Sequence, residues 1–228
     1  MKKSNHAVLS VALSVLFAAS ALLNTGNAHA DDDQGILQYA ITITNITRGQ
    51  VLAPPSIVAH NSSYQMFALG GQASPGLAQL AETPSGALML SEAAALPSVY
   101  GTAISSSVIP PGASQTLYIS TTKDFPEVSV ATMLATTTDG FMAVRNVRLP
   151  RKGSVTVEAD AYDAGTEANT DTCEYSFGPP CNDLRHNPAT PEGYIHVHSG
   201  VHVGGGGLNP AIHDWRNPVV QIEIKRVQ

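Results

Sequence analysis

Residues 128–163 read VSVATMLATTTDGFMAVRNVRLPRKGSVTVEADAYD, and this stretch decides the fold class. Val128–Thr136 is an apolar, β-branched run that Thr137-Thr138 lead out of, and Asp139-Gly140 follows as a hairpin-turn pair. Asp-Gly favours a hairpin because both residues tolerate the positive φ of a tight turn. Phe141–Leu149 returns as the partner strand, and Pro150–Gly153 turns the chain again. Ser154–Tyr162 then alternates Val155, Val157, Ala159 and Ala161 against Thr156, Glu158 and Asp160. A period of two puts each set on its own face, so this segment predicts a strand with one buried side.

Working outward, Leu37–Ile46 alternates Tyr39, Ile41 and Ile43 against Ala40, Thr42 and Thr44, a further strand. Thr47–Ser63, with Pro54-Pro55 in it, reads as a loop, and Asp31–Gly35 as a mobile end. Ser74-Pro75 predicts a capped helix over Gly76–Glu82 with proline in its first turn, and Ala87–Ala95 a second short helix. Pro110-Pro111-Gly112 marks a turn before a strand at Thr116–Thr121. Ala164–Pro191 is a long polar loop, Tyr194–Val203 a strand, Gly204–Gly207 a flexible turn and Val219–Val227 the closing strand. There is no internal repeat and no dividing linker. The pattern predicts one all-β domain over 36–228, an antiparallel β-sandwich with one or two short helices on its connections.

Composition agrees. Of 228 residues 43% are hydrophobic and only 13% charged, with Gly 19 and Pro 15, which suits many strands and turns and argues against a disordered chain. A formal net charge of −6 with 12 basic residues argues against a nucleic-acid partner. Residues 1–30 read as a secretory signal peptide: Lys2-Lys3, an apolar stretch from Ala7 to Leu23, then the Ala28-His29-Ala30 cleavage site and Asp31-Asp32-Asp33. An uncleaved anchor is the rival reading, and no later stretch is long and apolar enough to span a membrane. The expected location is therefore outside the cytoplasm, periplasmic or extracellular. There Cys173 and Cys181 are expected to pair and staple their loop, since their spacing is not that of a zinc site. Asn45-Ile46-Thr47 and Asn61-Ser62-Ser63 match the glycosylation sequon and are assigned no function.

Two constellations carry candidate chemistry. Asp139 sits at a turn, Asp163 ends a strand, and Glu167 follows past Gly165, which permits a sharp bend. Loops at one end of a sandwich gather such acids, and calcium takes hard oxygen ligands of this kind. Asp-Gly is also an ordinary turn, and an Asp ending a strand an ordinary cap. The second set is His196 and His198, on one face of a strand, with His202 at the same parity. Imidazoles at this spacing suit zinc or copper, which need three or four converging ligands; an outward polar face is the plainer reading. No Gly-x-Ser-x-Gly elbow, P-loop or His-Glu-x-x-His occurs, and no catalytic or organic-cofactor residues are assigned. His213 and Asp214 are a last-ranked hydrolase pair, because neighbours on one strand point apart.

Pro126-Glu127-Val128-Ser129, Thr138-Asp139-Gly140-Phe141, Tyr162-Asp163-Ala164-Gly165-Thr166-Glu167, His213-Asp214-Trp215-Arg216-Asn217-Pro218-Val219 and the last strand follow one another in a recognisable order. On these residues the chain, from Asp124 onward, resembles the spondin N-terminal domain family. Over Ala40–Ser120 the likeness is looser, with Ala73-Ser74-Pro75 and Leu80-Ala81-Glu82 fitting a bacterial, single-domain, secreted branch. The resemblance implies a C2-like antiparallel β-sandwich with bound calcium, its ligands falling on Asp139, Asp163 and Glu167. Animal members usually carry Asp at the last of these and an aromatic directly after the first acid, where this chain has Glu167 and Gly140-Phe141. The His196/His198 pair is not part of the animal pattern. The leading expectation is a secreted, non-enzymatic, calcium-binding module that recognises a surface, matrix or protein partner. The alternative is a periplasmic zinc- or copper-binding protein using His196, His198 and His202.

Overall fold

The computed structural model describes residues 35–227, and the expected signal peptide lies outside them. Among the described residues nine strands form: β1 Leu37–Asn45, β2 Ser56–His60, β3 Val99–Ile104, β4 Ser114–Thr121, β5 Glu127–Met133, β6 Gly140–Arg148, β7 Ser154–Asp163, β8 His196–Val197 and β9 Val220–Arg226. Helices α1 (Pro75–Glu82) and α2 (Ala87–Ala94) lie between β2 and β3, and a single turn, α3 (Pro210–His213), precedes β9. The strand order is β3-β2-β5-β6-β7-β9-β1-β4, with β8 beside β7 and all pairs antiparallel. The fold is all-β, as the sequence predicts.

Strand β7 joins the two layers. Its first half, Ser154–Ala159, pairs with β9, and its second half, Asp160–Asp163, pairs with β6. The sheet folds over on itself along this strand. Tyr39, Ile41 and Ile43 of β1 and Val220, Ile222 and Ile224 of β9 point inward to meet Val130 and Met142 of the facing layer. Each such aliphatic side chain contributes about 1.5–3 kcal/mol by leaving water. On the outward face of β1, Thr42 and Thr44 hydrogen-bond to Thr116 and Ser114 of β4 at 2.8 and 2.9 Å.

The other face of β2, β5 and β6 is covered by the two helices. Leu77, Leu80 and Met89 pack on Val58, Ala131 and Phe141, with Phe67 edge-on to Phe141. Ser74 caps α1 by accepting from the Leu77 N–H at 3.2 Å, and Glu92 of α2 accepts from Gly76 N and Ser74 Oγ at 2.8 and 2.7 Å, clamping the helices together. This second cover explains β2, which falls inside the stretch expected to be a loop. All five of its residues are buried, so its side chains show no alternation.

The expected strand over Tyr194–Val203 needs correction: only His196–Val197 pairs with β7 as a strand. His198 adds one bond, N–H to Ala161 O at 3.1 Å, and Gly200 then turns the chain at φ 102°. Cys173 and Cys181 form the expected disulfide. No helix among the described residues is long and apolar enough to cross a membrane.

Candidate functional site at the Asp139–Asp163 end

The site begins with the turn that joins β5 to β6. Thr137 Oγ1 donates to Leu134 O at 2.6 Å and accepts from Gly140 N at 2.9 Å, which locks the Thr-Thr-Thr-Asp segment. Strand β6 starts at Gly140, whose cross-strand partner is Asp163, the last residue of β7. The Ala164 N–H then donates to Asp139 O at 3.1 Å. Asp139 and Asp163 are thereby neighbours at one tip of the sandwich, and both are fully buried.

Gly165 makes the next bend possible. Its φ is +66°, a conformation that L side chains rarely adopt, and a Cβ there would strike the backbone of Tyr194. The bend aims the N–H of Gly165 at Asp163 Oδ1 (2.7 Å) and those of Thr166 and Glu167 at Asp139 Oδ2 (2.7 and 3.0 Å). The Thr166 hydroxyl reaches the same oxygen at 3.3 Å. Asn169 donates to Asp163 Oδ2 at 2.5 Å, while Thr138 Oγ1 lies 3.4 Å from Asp139 Oδ1 and 3.3 Å from Asn169 Oδ1. His196 Nε2 stands 3.5 Å from Asp163 Oδ1. Among the described residues no lysine or arginine pairs with either aspartate.

Burial and, after it, the negative charge of Asp163 push the Asp139 carboxyl up to about 7, against the pull of its Glu167 and Thr166 hydrogen bonds. Beside the pair is a small cavity of about 10 Å³ lined by Thr136, Thr137, Thr138, Asn169, Asp171 and His198. That is room for one water or one ion.

The other predicted residues part company here. Glu167 joins Asp139 through its N–H, but its carboxylate turns away, accepts from Asn187 N at 3.1 Å and pairs with His186. Burial raises its carboxyl, opposed by Asn187 and His186. His196 meets Asp163 and Glu192, with ligand atoms within 4.8 Å of one another, and Glu82, Glu167 and His186 form a second such group. His198 packs on Trp215, its ring centroid 4.9 Å away, and accepts from Gly200 N at 3.0 Å, while its buried Nε2 has no hydrogen-bond partner among the described residues. Burial holds its pKa below the usual imidazole range. His202 presents its backbone N–H to Asp171 Oδ2 at 2.9 Å. His213 bonds within its own turn to Asn209, while Asp214 bonds to Val201 and Arg216, so the two share no bond. Asn169, Thr138 and Glu192 are site residues that the sequence reading missed. Asn169 carried the one usable signal, a further oxygen donor in the Asp163, Glu167 series.

Two antiparallel layers folded over at β7, a stapled loop and an acidic tip define an all-β domain. Residues 56–182, more than half of the chain, match the family model described as Spondin_N. The chain belongs to the spondin N-terminal domain family. Asp139, Asp163 and Glu167 fall inside the matched stretch, whereas His196, His198 and His202 lie beyond it. No curated protein sequence matches the chain.

Proposed function

We propose that this is an exported, non-enzymatic recognition module whose acidic tip holds calcium. One observation carries the reading: Asp139 and Asp163 are buried side by side, 0% exposed, and among the described residues no lysine or arginine pairs with either. Two adjacent buried carboxylates repel each other and lose hydration, so a bound divalent cation relieves both costs. The donor set fits a hard ion, because Thr138 Oγ1 lies beside both Asp139 Oδ1 and Asn169 Oδ1 and adds neutral oxygens to the two carboxylates, while Asn169 turns its Nδ2 to Asp163. Asp139 and Asp163 would hold the ion directly, with Asn169 and Thr138 beside them. When bound, calcium supplies fixed positive charge that ties the β5–β6 turn to the segment after β7. The partner is a surface, matrix or protein ligand met by the loops so stiffened.

Calcium titration of the purified protein tests this. At one hundred times the dissociation constant it adds about 2.7 kcal/mol of stability, or about 5–10 °C in melting temperature. Asp163→Asn is expected to abolish the rise, and a flat wild-type titration removes the proposal.

A second reading has its own observation, the Asp163, Glu192 and His196 group. Mixed carboxylate and imidazole ligands suit zinc better than calcium. Calorimetry separates the two: His196→Ala costs zinc affinity under this reading and leaves calcium affinity unchanged under the first.

A further inference from the structure

The charges of this domain are segregated along β6 and β7. Both strands run from the aspartate tip to the opposite end, β6 reaching it at Arg148 and β7 starting there at Ser154. Nine residues of strand span about 30 Å. At that far end stand Lys123, Arg148, Arg151, Lys152 and Lys225, all exposed, together with Arg226. They are half of the chain's 12 lysines and arginines. Of the described acids, Asp124 and Glu127 share this end, and Glu223 is the next outward residue along β9. Among the described residues, the side chains of Lys123, Arg148, Arg151, Lys152 and Lys225 enter no ion pair.

Three of these cations converge on one recess. A cleft of about 210 Å³ is lined by Leu37, Tyr39, Lys123, Arg148, Leu149 and Arg151, among others. Its mouth is built rather than loose. Arg226 donates from its backbone N–H to Gly153 O at 3.0 Å and from Nη1 to Arg151 O at 2.6 Å, and the Tyr39 hydroxyl donates to Pro150 O at 3.2 Å. These bonds fix the turn between β6 and β7 that carries Arg151.

From this arrangement we infer that the cleft binds a single-chain anionic polysaccharide through its sulfate or phosphate groups. Arginine forks match such oxyanions with two parallel hydrogen bonds. Half-buried Leu37 gives the recess an apolar edge for a sugar ring, which a row of cations alone does not, with buried Tyr39 and Leu149 behind it. A membrane plane cannot enter a recess, whereas a narrow chain can. The site works independently of the aspartate tip, because the distance between them is several times the screening length of about 8 Å in physiological salt.

The test uses the purified protein and short, fluorescently labelled dextran sulfate, with neutral dextran as control, in calcium and in EDTA. Binding to the sulfated chain alone is expected, weaker at higher salt and the same with or without calcium. The double variant Arg148→Ala/Arg151→Ala is expected to lose at least tenfold in affinity and about two in salt slope. Both residues are exposed, so its melting temperature stays unchanged, and Arg185→Ala, far from the cleft, binds as wild type does. Absence of binding to dextran sulfate at low salt overturns the inference, as does unchanged affinity in the double variant. Tighter binding to phosphatidylglycerol vesicles or to single-stranded DNA overturns the choice of a polysaccharide.

Discussion

Gly140 and Asp163 face each other across the β6–β7 ladder. That single register places the carboxylate of Asp139, one residue before Gly140, against that of Asp163. A shift of one residue would turn Asp163 to the opposite face of the sheet. The candidate site is therefore a product of strand pairing, with the loops completing what the ladder begins.

The first prediction concerns acid. Asp139 is pushed up to about 7 in the folded chain from an ordinary 3.8. A raised carboxyl makes the folded state bind more protons than the unfolded one, so its contribution falls as pH rises from about 4 to about 7. Buried His60 and His198, both held below the usual range, act in the opposite sense and lose stability as pH falls below about 6.5. The two effects overlap, so a difference measurement isolates the aspartate. Without metal, the melting temperature of Asp139→Asn minus that of wild type is expected to grow between pH 4 and 7. A pH-independent difference overturns the reading.

Protons and calcium compete for the same oxygens. Apparent calcium affinity is expected to fall about tenfold per pH unit below about 7, as Asp139 takes its proton. Calorimetric titrations at pH 6 and pH 7.5 check this, and equal affinities refute it.

How much of this was legible in the sequence follows from burial. Strands β1, β7 and β9 keep one face in water, so alternation exposed them within a residue or two of their ends. Strand β2 is buried on both faces, and so has no period to read. Strand β3 does alternate, but its burial pattern contrasts half-buried with exposed positions, and Gly101 interrupts it, which gives a weak signal. The Tyr194–Val203 segment has a strand-like composition, yet Gly200 bends it away after two paired residues. At the site, spacing alone leaves Asp139 an ordinary turn residue and Asp163 an ordinary strand end, and the family resemblance brings them together. The turn itself is longer than the Asp-Gly pair suggests, because Leu134 N already bonds to Gly140 O and Gly140 opens β6. The rotation of Glu167 toward His186 could not be read at all, because His186 arrives from the far side of a stapled loop.

Glu167 supplies a sharp comparison. Its N–H serves Asp139, while its carboxylate is engaged by Asn187 and His186. Glu167→Gln preserves the backbone bond and removes one remote charge. It is expected to weaken calcium binding less than Asp163→Asn, and calorimetry on the two variants gives the order. Equal losses would mean that the Glu167 side chain swings to the ion.

Gly165 tests the bend. An alanine there combines positive φ with a collision against the backbone of Tyr194. The expected loss of stability is about 2–4 kcal/mol, the sum of strain and overpacking. The loss matters for the ion too, because Gly165 aims the Thr166 and Glu167 N–H groups at Asp139. Denaturant unfolding measures the first effect and calcium titration the second. A neutral Gly165→Ala would contradict the close approach to Tyr194.

The disulfide separates stability from site geometry. Closing the short loop between Cys173 and Cys181 restricts the unfolded chain by about 2–3 kcal/mol. Both cysteines come after the elements that set the aspartate pair: the β6–β7 ladder, the Gly165 bend and Asn169. The double variant Cys173→Ser/Cys181→Ser is therefore expected to melt about 5–10 °C lower while keeping the full calcium-induced rise. Its loop also carries Ser176, and Thr172 directly precedes it; both line the cavity beside His198. If calcium stabilisation disappears along with the disulfide, the ion depends on that cavity wall rather than on the ladder. Melting curves of both forms, with and without calcium, decide between these placements.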